Sequence, residues 1–238
     1  MKNVVFWPVL ALCVAVSWFL WTRSPEYIRQ GGPLLIFGMT CFLLVITYAI
    51  ERTIVLTRAG GRGALGGFVD RLLGAVRSGD VGGAIDAAKA QGGSLANVVG
   101  AGLQKYRGLT GIEPDRRNVL ADTRRSMEET MSLESPTLER NLSALSTLAS
   151  IATLIGLLGT TIGMIRAFRA MSHAGAPDAT QLALGISEAL VNTAVGLTTA
   201  ILATVLYNHF TTRVDQFGAR IEETAYQVLD ALEENGAK

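Results

Sequence analysis

The chain has 238 residues, of which 49% are hydrophobic and only 17% charged, and its mean hydropathy is +0.34. Ordinary soluble domains carry roughly 25% charged residues, so part of this chain avoids water. The 21 Lys and Arg residues nearly balance the 20 Asp and Glu residues, which excludes the strongly basic character expected of a nucleic-acid-binding protein.

The first apolar segment runs from Val4 to Trp21. A signal peptide with Lys2 as its positive region is one interpretation, and a retained transmembrane helix is the other. The segment has no A-x-A-like cleavage site. It ends in Trp18-Phe19-Leu20-Trp21, and Trp is enriched where helices leave the membrane. These features favour a retained helix.

Three further apolar runs approach or exceed the ~20 residues that cross a hydrocarbon core. The long segment between the second and third runs is rich in arginine, and the C-terminal tail carries two more. The positive-inside rule therefore places both in the cytoplasm, and the N-terminus as well if there are four spans. Arg166 and Arg169, on the opposite side, run against this topology. The three runs are Pro33–Ile50, Leu142–Ile165 and Leu182–Tyr207.

These runs predict an all-α integral membrane protein with three to four transmembrane helices and long cytoplasmic helical extensions. The predicted organisation has five parts. Residues 1–32 form a transmembrane helix with a short periplasmic loop, and residues 33–52 form the next span. Residues 53–141 form a cytoplasmic helical domain. Residues 142–207 form two pore-lining spans with a short periplasmic loop, and residues 208–238 form a cytoplasmic C-terminal helix.

Turn and cap signals divide the cytoplasmic segment into helices. The sequence Ser78-Gly79-Asp80 is typical of a helix break followed by an N-cap, and Ser94 is a second candidate cap. A longer helix is predicted to begin just beyond Pro114, to kink at Pro136 and to run onward into the third apolar run, since proline is tolerated in a first helical turn. The shorter predicted helices cover residues 70–76, 81–91 and 95–106.

The long cytoplasmic helix carries charges of opposite sign four residues apart. Arg124 precedes Glu128, and Arg125 precedes Glu129, by one helical turn. Such pairs stabilise a helix by only ~0.2–0.5 kcal/mol each. The pattern indicates a solvated helix face, and the alternative is a docking surface for another cytoplasmic protein.

No pattern in the sequence predicts an enzyme, a metal site or a cofactor site. Cys13 and Cys41 lie inside apolar runs without a CxxC partner or nearby histidines, so they are interpreted as small apolar residues. His173 and His209 lie at or outside the ends of the apolar runs, away from paired carboxylates. We therefore expect no catalytic residues, no bound metal and no cofactor.

The third and fourth apolar runs are rich in small and hydroxyl-bearing residues. Small residues let helix backbones approach closely, and Ser and Thr hydrogen-bond across helices or to their own backbone. Tight helix packing accounts for most of this composition. The candidate packing residues are Gly156, Gly159, Gly163 and Gly196.

Glu188 is a carboxylate inside an apolar run, about six residues and roughly 9 Å from its outer end. Such a group costs at least a few kcal/mol unless it is protonated, paired or wetted. It either snorkels to the outer surface or, as we favour, faces an interhelical or water-filled site. Mid-span Thr193 and Thr153 are expected at one level, where hydroxyls can pass protons. Since no Asp or Glu lies at that depth, we expect another protein to supply it. The candidate proton-pathway residues are Thr193, Glu188, Thr153, Ser150, Thr160 and Asn192.

Three stretches carry a resemblance to a known family. The run that begins with Leu138-Glu-Arg-Asn-Leu142 and continues through Leu154-Ile-Gly-Leu-Leu-Gly-Thr-Thr-Ile-Gly-Met-Ile-Arg-Ala-Phe168 resembles the second-last span of the MotA/TolQ/ExbB proton-channel family. The run Gly185-Ile-Ser-Glu-Ala-Leu-Val-Asn-Thr-Ala-Val-Gly-Leu197 is similar to its last span. Gly31-Gly32-Pro33 and Ala49-Ile50-Glu51-Arg52 fit its earlier span. The resemblance is strongest to ExbB and TolQ.

The resemblance implies a proton-channel subunit of an inner-membrane motor in bacteria, which is not an enzyme. Such subunits form a ring, here expected to be a pentamer in the lipid bilayer, around two helices of an ExbD/TolR/MotB-like single-span protein. That partner supplies an intramembrane Asp, and a TonB/TolA-like transducer or motility machinery receives the work. Thr193 and Glu188 match family positions, whereas Ile151 stands where the family has a second pore threonine and Thr153 where it has proline. A scaffold protein and a small secondary transporter remain the alternatives.

Overall fold

The computed structural model describes residues 3–172 and 178–235, apart from the side chains of residues 3–6 and 27. Lys2 and His173, named above, lie outside the described residues. The described part of the chain forms nine helices. They are α1 (Asn3–Arg23), α2 (Glu26–Arg29), α3 (Leu34–Ala59), α4 (Leu65–Arg77), α5 (Val81–Gln91), α6 (Gly93–Leu109), α7 (Arg116–Glu139), α8 (Leu142–Met171) and α9 (Ala179–Asn235).

The chain divides into two compact units. The apolar unit comprises residues 1–51 and 141–209, and the polar unit comprises residues 52–140 and 210–238. Three stretches of described helix are long and apolar enough to cross a membrane: Leu34–Ala59, Arg116–Met171 and Ala179–Asn235. The chain is therefore a helical, multi-pass membrane protein. The first predicted span is helical as α1, but its described apolar part, Trp7–Arg23, is shorter than those three.

Large apolar side chains cover the outside of the apolar unit. Only 22% to 39% of the residues in the three apolar windows are buried within the chain. Leu154, Leu190 and Ile201 are each more than 60% exposed. Exposed apolar surface of this extent indicates contact with lipid or with other membrane helices. Cys13 and Cys41 are buried with free thiols, as expected of small apolar residues.

The polar unit has a conventional apolar core and well-defined helix ends. Phe68, Leu72 and Ile85 are almost fully buried. Asp80 caps α5 by accepting a hydrogen bond from the Gly83 backbone N–H at 2.8 Å, which confirms the predicted helix break and cap. The two predicted pairs on α7 also form: Nε of Arg124 is 2.8 Å from Glu128 Oε1, and Nε of Arg125 is 2.9 Å from Glu129 Oε1.

Two arginines of the polar unit bind carbonyl oxygens at helix ends. Arg52 is 1% exposed and donates to the Leu138 carbonyl near the end of α7. Arg116 donates to the carbonyls of Leu232 and Glu233 near the end of α9, at 2.7 and 2.8 Å. Because the last carbonyls of a helix have no partner within the helix, cationic donors stabilise both ends.

The prediction that Ser94 caps α6 is wrong. Gly92 occupies the cap position, and the Ser94 hydroxyl instead donates to Glu134 Oε2 on α7 at 2.7 Å. The reason is a close backbone crossing, in which the Arg62 N–H donates to the Gln91 carbonyl. Gly61 has φ +74° in this crossing, and a Cβ there would overlap the Gly92 carbonyl oxygen.

The predicted continuous helix through Pro136 into the third apolar run is interrupted. Pro136 lies within α7, which ends at Glu139, and α8 begins at Leu142. Between them Asn141 adopts a left-handed conformation with φ 62°, which asparagine tolerates better than most residues. Within the apolar unit, the Asn141 amide donates to Glu51 Oε2 at 3.0 Å. This hydrogen bond joins positions 90 residues apart, so helix periodicity gives no sign of the break.

Candidate functional site

Helices α8 and α9 run antiparallel and touch through glycines. A methyl group at Gly163 would lie 2.6 Å from the Gly185 carbonyl oxygen, and one at Gly196 would lie 2.7 Å from the Ala152 carbonyl oxygen. A methyl group at Gly156 would lie 3.4 Å from the Gly196 Cα. Glycine is therefore required for the observed approach of the two backbones.

Asn192 joins α9 to the chain segment that precedes α3. Its side chain is buried, and its Nδ2 donates to the Gly31 carbonyl at 2.7 Å and to the Glu188 carbonyl at 2.9 Å. A Cβ at Gly159 of α8 would overlap the Asn192 side chain. The missing side chain at Gly159 thus provides the space for this polar group.

One turn away, Glu188 forms an ion pair with Arg166 of α8. Nη1 of Arg166 lies 2.5 Å from both carboxylate oxygens. The Glu188 side chain is 7% exposed, whereas that of Arg166 is 51% exposed. An unpaired carboxylate at this burial would cost several kcal/mol of stability. The ion pair with the Arg166 guanidinium offsets this cost.

Gly32 covers the Glu188 carboxylate from the other side. It has φ +68°, and a Cβ there would overlap Glu188 Oε1 and lie 3.4 Å from Arg166 Nη1. Gln30 and Ser187 add a further contact, in which the Ser187 hydroxyl donates to Gln30 Oε1 at 2.8 Å. The Gly31-Gly32 pair therefore has a direct structural role in seating α9.

Thr193 makes a hydrogen bond from α9 to α8. Its half-buried hydroxyl donates to the Gly156 carbonyl at 3.0 Å. The hydroxyl oxygen keeps acceptor capacity for another donor. Among the predicted site residues, Glu188 and Asn192 thus lie one turn apart on α9, and Thr193 follows Asn192 directly, with each of the three bonded to another segment of the chain.

The predicted hydroxyls of α8 do not join this group, since each bonds within its own helix. Thr153 donates to the Ala149 carbonyl at 3.0 Å, and Thr160 to the Leu157 carbonyl at 2.6 Å. Ser150 is exposed and lies 3.4 Å from the Ser146 carbonyl oxygen. The donors Ser150, Thr153 and Thr160 are therefore satisfied without any cross-helix partner.

Thr153 and Thr193, expected at about the same level, differ in depth by less than one helical turn. Thr193 bonds to Gly156, which is three residues or about 4.5 Å further along α8 than Thr153. The offset arises because the glycines, rather than the hydroxyls, determine the register of the two helices. Ile151, at the position where the resemblance implies a pore threonine, is 41% exposed.

Sequence reasoning missed Arg166, which it treated only as a charge contrary to the topology. The signal that could have found it is the position of opposite charges near the same end of an antiparallel helix pair. Arg166 is near the end of α8, and Glu188 is near the start of α9. Both lie close to the short connection, so their side chains can meet.

Comparison with known proteins places this arrangement in a family. The model of the MotA/TolQ/ExbB proton channel family matches residues 92–223, which is more than half of the chain. The chain is 37% identical over 115 residues to the Tol-Pal system protein TolQ of Haemophilus influenzae, covering 48% of this chain and 50% of that protein.

Two further relatives give the same result. The Tol-Pal system protein TolQ of Pseudomonas aeruginosa is 34% identical over 118 residues, half of each protein. The biopolymer transport protein ExbB of Salmonella typhimurium is 36% identical over 85 residues, 36% of this chain and 35% of that protein. The chain thus spans about half the length of each TolQ and about a third of ExbB. The segment that the family model matches includes α8, the glycine contacts and residues Glu188–Thr193 of α9. Because the match covers more than half of the chain, the chain belongs to the MotA/TolQ/ExbB proton channel family.

Proposed function

We propose that the chain is the proton-channel subunit of an energy-transducing complex in a bacterial inner membrane. The complex would use the proton motive force to drive a Tol-, TonB- or motility-type process. Each proton crossing 100 mV releases ~2.3 kcal/mol. The observation that carries the proposal is Thr193, a half-buried hydroxyl at the contact of two apolar helices of a proton-channel family member.

The charge inventory of the two late apolar runs supports a partner. Residues 142–165 contain no Asp or Glu, and residues 182–207 contain only Glu188, whose carboxylate is bound by Arg166. A mid-membrane carboxylate would therefore come from a single-span ExbD/TolR/MotB-like protein, with protonation near Thr193 freeing that helix to move. We further propose a ring of about five copies, with residues 53–141 and 208–238 in the cytoplasm, and with the N-terminus there as well if α1 is a fourth span.

The test of the proposal is proton flux through the complex purified from its own host's membranes and reconstituted in vesicles with an imposed membrane potential. Thr193→Ala is expected to reduce flux about tenfold or more, because loss of a proton-transfer contact typically costs ~10²–10⁴-fold. Thr193→Ser keeps the hydroxyl and is expected to retain most of the flux.

Thr204→Ala is the matched control, because that hydroxyl lies on the same helix and donates to its own helix at Ala200. It is expected to leave flux unchanged. Native mass spectrometry of the same preparation should show a ring with a smaller single-span protein. Equal flux in all three variants, or a lone chain without such a partner, would refute the proposal.

A further inference from the structure

We propose that Arg166 is a positioning residue that holds the Glu188 carboxylate in a fixed ion pair. Glu188 then fixes the position of α9 against α8 and does not carry protons. The inference rests on the proposed function and refines it. It concerns the network formed by Gln30, Gly31, Gly32, Arg166, Glu188 and Asn192 within the apolar unit.

The geometry of the ion pair is the first observation. One guanidinium nitrogen of Arg166 is 2.5 Å from both Glu188 oxygens. The carboxylate is nearly covered, while half of the arginine side chain is exposed. A side chain that carries protons along a pathway has to move between partners, and here such movement would break the ion pair. The cost of that separation opposes a carrier role.

The space around the carboxylate is the second observation. The positive φ of Gly32 brings its backbone against Glu188, so closely that even a Cβ would overlap Oε1. The ion pair is thus enclosed by α8 on one side and by the Gly32 backbone on the other. This close packing favours a Glu188 side chain that keeps one fixed position.

The connection to Thr193 is the third observation. One turn along α9 from Glu188, Asn192 binds the Gly31 carbonyl, so the segment before α3 holds α9 at two successive turns. Thr193 follows Asn192 directly and reaches Gly156. Moving Glu188 would therefore displace the Thr193 hydroxyl relative to α8.

The unequal exposure of the two partners gives a distinctive test. Removing Arg166 leaves a covered carboxylate without its counter-charge, whereas neutralising Glu188 leaves an arginine that is half exposed. Glu188→Gln should therefore rescue Arg166→Ala. A proton carrier could not be rescued in this way, because glutamine does not titrate.

The experiment compares Arg166→Ala, Arg166→Lys, Glu188→Gln and the double variant Arg166→Ala/Glu188→Gln in the reconstituted complex. Proton flux and thermal unfolding of this chain in detergent are both measured. Arg166→Ala is expected to lower the melting temperature by on the order of 5 °C and to reduce flux about tenfold. Arg166→Lys keeps the counter-charge and is expected to stay within about threefold of wild-type flux. Glu188→Gln and the double variant lose the ion pair but leave no buried charge, so both are expected to fall between Arg166→Ala and the wild type in flux, well short of the ~10²–10⁴-fold loss that removal of an acid–base group causes.

Two outcomes overturn the inference. The first is loss of flux by about a hundredfold in Glu188→Gln with an unchanged melting temperature, which would identify Glu188 as a carrier. The second is a double variant that melts no higher than Arg166→Ala. If the wild-type complex itself passes no protons, the proposed function fails, and the melting temperatures alone still decide whether Arg166 supports Glu188.

Discussion

The glycines of α8 and those of α4 have the same chemistry and opposite surroundings. In α8, a Cβ at Gly159 or Gly163 would overlap or press against atoms of α9. In α4, a Cβ at Gly66, Gly67 or Gly74 would meet nothing within 4 Å. The first set allows two membrane helices to approach, whereas the second set only makes a water-facing helix less stable.

The difference shows that glycine spacing does not by itself identify a packing face. Gly66 and Gly67 are adjacent, whereas Gly156, Gly159 and Gly163 recur every three or four residues and so lie along one side of a helix. In the partner helix α9, Gly185 and Gly196 are eleven residues or about three turns apart, so they also lie on one side of the helix, where both contact α8. Glycines that recur along one side of both helices of a pair indicate a packing face, whereas glycines on one helix alone do not.

Gly159→Ala should have the largest effect, because its Cβ would displace the buried Asn192 side chain. We expect a loss of about 1–3 kcal/mol in the free energy of unfolding, as is usual for overpacking, and a matching loss of proton flux. Thermal unfolding in detergent and the reconstituted flux assay measure the two effects. A wild-type melting temperature would show that α8 and α9 can separate without cost, and the comparison would fail.

Gly83→Ala is an intermediate case, because its Cβ would overlap the carboxylate of Asp80, a side chain that can rotate away. The loss of the Asp80 cap costs about 1 kcal/mol, while alanine in a helix gains roughly 0.5–1 kcal/mol over glycine. We expect these to cancel in the free energy of unfolding. Asp80→Ala, which loses the cap without the gain, serves as control and should destabilise by about 1 kcal/mol. Equal destabilisation by both variants would contradict this balance.

Gly74→Ala should have the smallest effect, and of opposite sign. With open space around it, the substitution is expected to add roughly 0.5–1 kcal/mol to the free energy of unfolding through helix propensity alone. Denaturant unfolding followed by circular dichroism is the measurement, and proton flux should not change. Destabilisation here would mean that α4 packs against something in the assembled protein.

Much of the helical architecture is predictable, because apolar runs and breaks have local causes. The three long apolar runs and the Asp80 cap follow from hydropathy and turn chemistry within a few residues of sequence. Helix ends are less predictable: the second run stops at Ile50, yet α3 continues to Ala59, because a change to polar residues does not end a helix. Only the extended Arg140 and the left-handed Asn141 separate α7 from α8.

The site was predictable in its composition but not in its connections. The sequence alone identifies Thr193, Asn192 and Glu188 as polar residues in an apolar run, without showing which groups they bind. The partner of Glu188 comes from α8 and that of Asn192 from the segment before α3, at sequence offsets of 22 (Arg166 to Glu188) and 161 (Gly31 to Asn192). No local periodicity encodes those pairings. They follow from the helix register, which the glycines determine.

The bond between Asn192 and Gly31 also has a consequence for the order of synthesis. At about 5–20 residues per second, the 161 residues that follow Gly31 up to and including Asn192 take roughly 8 to 32 s to translate. Throughout that interval the Gly31 carbonyl lacks Asn192 as its hydrogen-bond donor, so any donor has to come from water or from the insertion machinery. The corner before α3 is therefore completed only once α9 has emerged.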